Sequence, residues 1–250
     1  MKYYHELAEF PVFTLEQAGD VMGSAINAPK NLNLMIKEGG IHRVRKNLYT
    51  CINLVTGEDV ANRFEIGSGI TDCSFIAYHT AFEFYGFYNQ VFYEVQVSSQ
   101  KKFLPFEYES YNYKCFLTSC DKQIDLIAGV RVSSIERTII DSINMLGKVM
   151  DVEELVKCME LVHVVKEDKL IEMLLAYDKD ILYRKAGYVL SVFKNEYRLS
   201  DDFFIFCKEH SNIQNGGSIS SEEIGKLSYI QEWGLYAYPE LRRLTDKGDK

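Results

Sequence analysis

A helical repeat that stops at a glycine pair, followed at once by basic strand formers, narrows most what this chain can fold into. In residues 28–37, APKNLNLMIK, Ala28, Leu32, Met35 and Ile36 fall on one face at about 100° per residue. Lys30, Asn33 and Lys37 fall on the opposite face. Asn27 stands where an N-cap is needed, and Pro29 lies in the first turn, where a missing N–H costs little. Gly39 and Gly40 end the helix, and either can supply a left-handed residue after the cap. The continuation, IHRVRKNLYT, predicts a hairpin: Ile41–Val44, a tip at Arg45-Lys46-Asn47, then Leu48–Ile52. Alternation is imperfect, because Ile41 and Val44 would face opposite ways, so periodicity leaves the register open.

Upstream, FTLEQAGDVM (residues 13–22) predicts a short helix, with Thr14 before it and Leu15, Ala18 and Val21/Met22 at helical spacing. A weaker helical pattern covers residues 2–10. Helix, tight turn, helix with a polar outer face, then basic hairpin is the order of a winged helix-turn-helix. In that arrangement the second helix enters the major groove and the hairpin rides on phosphate. Asparagine reads adenine edges, whereas lysine and arginine on a wing mostly bind phosphate. The candidate DNA-binding residues are Lys30, Asn31, Asn33, Lys37, Arg43, Arg45 and Lys46.

Charge sharpens this reading. The 250-residue chain has a formal net charge of -8, yet residues 25–50 hold five cations and one anion, Glu38. An acidic balance argues against non-specific coating of nucleic acid. It leaves room for a focused basic face, since salt limits the reach of remote anions to about 8–10 Å. With 47% hydrophobic residues the chain has enough apolar material for real cores. No 18-residue apolar run predicts a membrane span, and MKYYHELAEF lacks the apolar stretch of a secretory signal. The six cysteines form no CxxC pair, consistent with reduced thiols, and a cytoplasmic location is expected.

The expected fold class is α+β: an N-terminal winged helix-turn-helix over residues 1–68, then a mixed α/β C-terminal domain over 69–250. A short helix is predicted near Asp59–Glu65, and DCSFIAYHTAFEFYGF reads as an aromatic-rich helix ending at Gly86. Residues 91–98 and 111–118 read as strands, and 124–132 as a hairpin through Ala128–Gly129. Ser133 with Glu136 fits a capping box for the next helix. Residues 151–163, 166–177, 180–196 and 201–210 read as helices, followed by GLYAYPEL and a charged tail.

Signals of catalysis are weak. The five histidines are scattered, without HExxH or a zinc-site spacing, and His79 within the aromatic helix reads as a core or capping residue. Gly67-Ser68-Gly69 lacks the lysine of a phosphate loop. A degenerate metal-nuclease cluster would use Glu94 and Gln96 on one strand and Asp125 on another, although Tyr93, Val95 and Val97 suggest that the polar side faces water. A ligand sensor would need an enclosed pocket built from residues such as Phe82, Tyr85 and Tyr93. Arg137 and Asp141 stand at i,i+4 on an otherwise apolar helix, as a local ion pair or, with Glu136, as part of a contact surface.

FTLEQAGDVMGS…LNLMIKEGGIHRVRKNLYT, SFIAYHTAFEFYGF, VRVSSIERTIIDSI and RKAGYVLS, in that order, resemble motifs of the AbiEi-type abortive-infection antitoxins of type IV toxin–antitoxin systems. The resemblance spans roughly residues 10–238. Asn47 stands where the family usually has glycine, and Tyr85 where a histidine is common. The resemblance implies a DNA-binding antitoxin; because no catalytic or metal-site pattern is read in the residues, no enzymatic activity, cofactor or metal is expected. The antitoxin would repress its own operon on double-stranded operator DNA and counteract a nucleotidyltransferase-like toxin, without tight direct capture. Two copies on an inverted-repeat operator are expected, and no membrane partner.

Overall fold

The structure, a computed structural model, describes residues 2–88, 92–220, 227–239 and 241. The charged tail and Val91, the first residue of one expected strand, lie outside these. The architecture is mixed α+β. Contacts divide the chain into two compact units, Met1–Ile76 with Phe92–Ser119 and Leu126–Val132, and Ala77–Val91 with Cys120–Asp125 and Ser133–Lys250. The expected linear boundary after residue 68 therefore falls inside the first unit. Strands far along the chain join the N-terminal helices there, an association that local composition cannot announce.

In the first unit, α1 (Tyr4–Leu7) is a single turn, shorter than the expected 2–10. α2 (Leu15–Val21) starts on a reciprocal capping box: Gln17 N–H donates to the Thr14 hydroxyl at 3.2 Å, and Thr14 N–H to Gln17 Oε1 at 2.8 Å. α3 (Ala28–Lys37) has the expected bounds, but Asn27 makes no side-chain cap. Its end is a Schellman motif. Gly40 N–H donates to Met35 O at 2.9 Å and Gly39 N–H to Ile36 O at 3.1 Å, with Gly39 at φ +72°.

The hairpin after this stop pairs β1 (Ile41–Arg45) with β2 (Leu48–Cys51). Arg43 lies opposite Tyr49 and Arg45 opposite Leu48, so Val44 is an inserted bulge residue. The bulge resolves the imperfect alternation: Ile41 and Val44 are both buried, at 0% and 5% exposure. Phe13 exchanges two backbone hydrogen bonds of 2.9 Å with Tyr49, and their rings stack at 5.9 Å. One apolar cluster, including Leu7, Phe13, Ala18, Leu32, Met35, Ile41 and Tyr49, joins all these elements. α4 (Arg63–Gly69) comes next, capped by Asn62 with Glu65 in return.

The sheet has six strands: β3 (Phe75–Ile76), β4 (Glu94–Ser99), β5 (Phe106–Tyr108), β6 (Tyr111–Leu117), β7 (Ile124–Ile127) and β8 (Val130–Ser133). Their order is β5-β6-β4-β3-β8-β7. β4 runs parallel to β6, while β3 is antiparallel to β4 and parallel to β8. Two expectations change. The aromatic helix does not begin at Asp72; Phe75–Ile76 is a strand, and α5 (Tyr78–Phe84) starts after it. The polar side of β4 does not face water, because Gln96 and Ser98 are buried on a strand flanked on both edges. β5 escapes sequence reading because its turn uses Glu109 and Ser110 at φ +47° and +69° instead of the usual Asn or Gly.

The second unit holds α5, α6 (Ile135–Asn144), α7 (Val152–Leu161), α8 (Glu167–Tyr177), α9 (Asp180–Ser191) and α10 (Asp201–Glu209). It ends with an antiparallel pair, β9 (Ser228–Ile230) and β10 (Leu235–Ala237). The N-cap of α6 is Ser134, one residue later than expected, since Ser133 closes β8. Glu136 caps elsewhere, accepting the Lys166 N–H at 2.9 Å.

The Arg137–Asp141 pair is no exposed surface pair. Arg137 is 0% exposed and Asp141 3%, with Arg137 Nε 3.1 Å from Asp141 Oδ2. The same guanidinium donates to the carbonyls of Cys120, at 3.0 Å, and Lys122, while the Tyr177 hydroxyl donates to Asp141. Burial pushes the Asp141 carboxyl above its usual range, against the pull of Arg137 and Tyr177. Arg184, also buried, donates from α9 to the carbonyls of Gly216 and Gly234 at 3.0 Å each and pairs with Asp180 at 2.6 Å. A Cβ at Gly187 would stand 2.1 Å from the ring of buried Trp233, so only glycine admits this packing. Among the described residues no helix is long and apolar enough to cross a membrane.

Arg137→Met should cost about 3–5 kcal/mol in denaturant unfolding, because it leaves a buried carboxylate uncompensated. The double variant Arg137→Met/Asp141→Leu should recover part of that loss. Gly187→Val should displace Trp233, the chain's one tryptophan, and a red shift of its fluorescence emission at native conditions measures this.

Candidate nucleic-acid interface

α3 turns Ala28, Leu32 and Met35 into the apolar cluster, and Lys30, Asn33 and Lys37 are exposed on its other side. No acid occurs within this helix. Asn31 points elsewhere: it is half-buried, and its amide nitrogen lies 3.6 Å from the Met22 sulfur at the end of α2. On the hairpin, Arg43 and Lys46 are exposed, with the Arg43 guanidinium 6.0 Å from the Tyr49 ring. The tip is fixed by Asn47. Its backbone takes φ +65°, the conformation where glycine is commoner, and its side-chain oxygen accepts the Leu15 N–H at 3.0 Å.

Arg45 differs from its neighbours. It is half-buried, with its guanidinium 4.7 Å from the Phe106 ring centre and 5.4 Å from that of Phe103. Phe106 in turn stacks on Tyr113 at 4.8 Å. Desolvation lowers the Arg45 pKa from its ordinary value, and Nη1 is buried without a hydrogen-bond partner. In this conformation Arg45 anchors the hairpin to aromatic rings, while Arg43 and Lys46 face solvent. Sequence periodicity misses this because the bulge at Val44 reverses the facing of the residues after it, and because Phe103 and Phe106 are remote in the chain.

A second cluster, unread in the sequence, lies beside the hairpin. His42 Nδ1 is 2.7 Å from Asp59 Oδ1, the Tyr108 hydroxyl donates to Asp59 Oδ2, and Glu109 closes the group. Burial and the nearby Asp59 charge raise the Glu109 pKa above its ordinary value. Nearby, a cavity of about 410 Å³ is lined by residues including Arg63, Phe64, Tyr108, Glu109 and Tyr111. The Arg63 guanidinium lies 4.7 Å from the Phe64 ring and 5.0 Å from the Tyr111 ring.

Among the other sequence candidates, Glu94 pairs with Lys114 and accepts from Gln96 at 3.2 Å, and Glu94 belongs to the first unit whereas Asp125 belongs to the second. Phe82 is fully buried, the Tyr85 hydroxyl donates to Ser133 O at 3.0 Å, and Tyr93 is 66% exposed. His79 is buried, 3.9 Å from Glu154.

No protein-family model matches the sequence, and no curated protein matches it. Among solved structures, the chain is similar to the RV2827C protein from Mycobacterium tuberculosis, with a TM-score of 0.67 and 14% identity. The alignment covers 99% of this chain and 93% of that one, a likeness of fold.

Proposed function

We propose that the first unit is a winged helix-turn-helix that binds double-stranded DNA, and that the chain is an antitoxin repressing its own operon. One observation carries the DNA-binding reading. Lys30, Asn33, Lys37, Arg43 and Lys46 are exposed on a helix and a hairpin that share one apolar cluster, in a chain of net charge -8. Lys30 and Lys37 flank Asn33 on the helix that would enter the major groove, so Asn33 reads base edges and the lysines hold phosphate. Arg43 and Lys46 hold phosphate from the wing. Asn31 and Arg45 support the two elements from inside. The antitoxin role, against a nucleotidyltransferase-like toxin, rests on the motif resemblance, and no enzymatic activity is assigned. Two copies on an inverted repeat follow from the symmetry of such operators.

Binding to the DNA upstream of the gene, measured by fluorescence anisotropy across a salt series, tests the reading. Arg43→Ala and Lys46→Ala should each lower the slope of log K against log salt by about 0.9. Asn33→Ala should flatten the preference between operator and scrambled DNA while leaving that slope alone. Arg45→Ala should lower stability by about 1 kcal/mol through the lost ring contact and leave the slope unchanged; a drop near one would show that Arg45 leaves its rings for phosphate. Equal affinity for operator and scrambled DNA in the wild-type chain would sink the repressor reading. For the antitoxin role, co-expression with an adjacent nucleotidyltransferase-like gene should restore growth, and no rescue would overturn it.

A further inference from the structure

We infer that His42, Asp59 and Glu109 form a site for one divalent transition-metal ion of the zinc class. Each residue offers a ligand atom, and these atoms lie within 4.8 Å of one another. Zinc bonds of about 2.0–2.2 Å to nitrogen and oxygen place tetrahedral donors about 3.3–3.5 Å apart, inside that envelope. The ligands come from β1, from the loop after β2 and from the β5–β6 turn, all within the first unit. No lysine or arginine pairs with Asp59 or Glu109 among the described residues, and Glu58 adds further negative charge beside Glu109.

The surroundings are those of a ligand set rather than of loose surface acids. The Asp59 side chain is 3% exposed, so water hardly solvates its carboxylate and the charge must be met by neighbouring groups. One of its oxygens accepts from Tyr108, which fixes its orientation and leaves the other facing His42 Nδ1. Metal-bound carboxylates characteristically have such an outer partner. The His42 side chain is 47% exposed, which gives the ion an entry path and leaves room for a water ligand. Without metal the short His42–Asp59 contact is a hydrogen bond. The ion takes the place of the proton on Nδ1, which is relocated through solvent to the exposed Nε2, so the histidine binds as a neutral imidazole. The imidazole nitrogen selects zinc-class ions over magnesium and calcium, which prefer all-oxygen sites.

The experiment needs no DNA, so its outcome is independent of the function proposed above. The 250-residue chain, stripped with chelator, is titrated calorimetrically with zinc chloride and, separately, with magnesium chloride, and thermal midpoints are recorded in each. The wild type should bind one zinc ion, bind no magnesium, and melt higher with zinc. Both His42→Ala and Glu109→Gln alter exposed side chains, and circular dichroism verifies that they fold. Each should weaken zinc binding at least about tenfold and abolish the rise in melting temperature, and Tyr108→Phe should weaken binding about tenfold at unchanged stoichiometry. Absence of zinc binding at about 100 µM, or binding undiminished in both ligand variants, would overturn the site.

Discussion

The candidate interface depends on one small apolar cluster that three helices and a hairpin have to share. Leu32 and Met35 of α3, Ile41 of β1 and Tyr49 of β2 all reach it, along with Phe13 and Leu7. Burying each such side chain is worth about 1.5–3 kcal/mol, several times the roughly 0.2–1 kcal/mol of an exposed ion pair. Packing therefore decides which way α3 and the hairpin face, and the basic residues take the directions left over. The Schellman stop at Gly39 turns the chain so that α3 and β1 can share this cluster, and the bulge at Val44 lets Val44 be buried as well as Ile41. Without the bulge, Ile41 and Val44 would lie on opposite faces, and one of them would be exposed.

The second unit relies on a different balance. Arg137 and Arg184 are almost fully buried, where desolvation makes an isolated charge very costly. Each is held by a carboxylate one helical turn away and by two backbone carbonyls. These arginines serve loops whose carbonyls have no strand or helix to bind. The arginines of the ERT and RKAG segments thus hold this chain's own loops in place. Gly187 belongs to the same logic, since Trp233 lies where its side chain would be.

Legibility follows the distance over which each interaction acts. The limits of α3, the Thr14 cap, the glycine stop and the i,i+4 spacing of Arg137 and Asp141 are readable because their partners lie within a turn or two. The start of α5 is displaced from its expected place because a two-residue strand leaves no period to detect. β5 is hidden because Glu109–Ser110 is an unusual pair for its turn. Five of the seven candidate interface residues are exposed; Arg45 and Asn31 turn inward toward Phe106 and Met22, partners that helical or strand periodicity does not count.

By itself the sequence determined the helix–turn–helix–hairpin order, the opposition of apolar and basic faces on α3, and the concentration of positive charge in an acidic chain. Each is set by neighbours a few residues apart. Tertiary structure alone decided that Arg45 lies on aromatic rings, that the Arg137 pair is buried, that β4 pairs parallel with β6, and that His42, Asp59 and Glu109 meet. Those outcomes depend on segments remote in the chain, whose meeting is governed by which apolar surfaces can be buried together, and no local pattern encodes that.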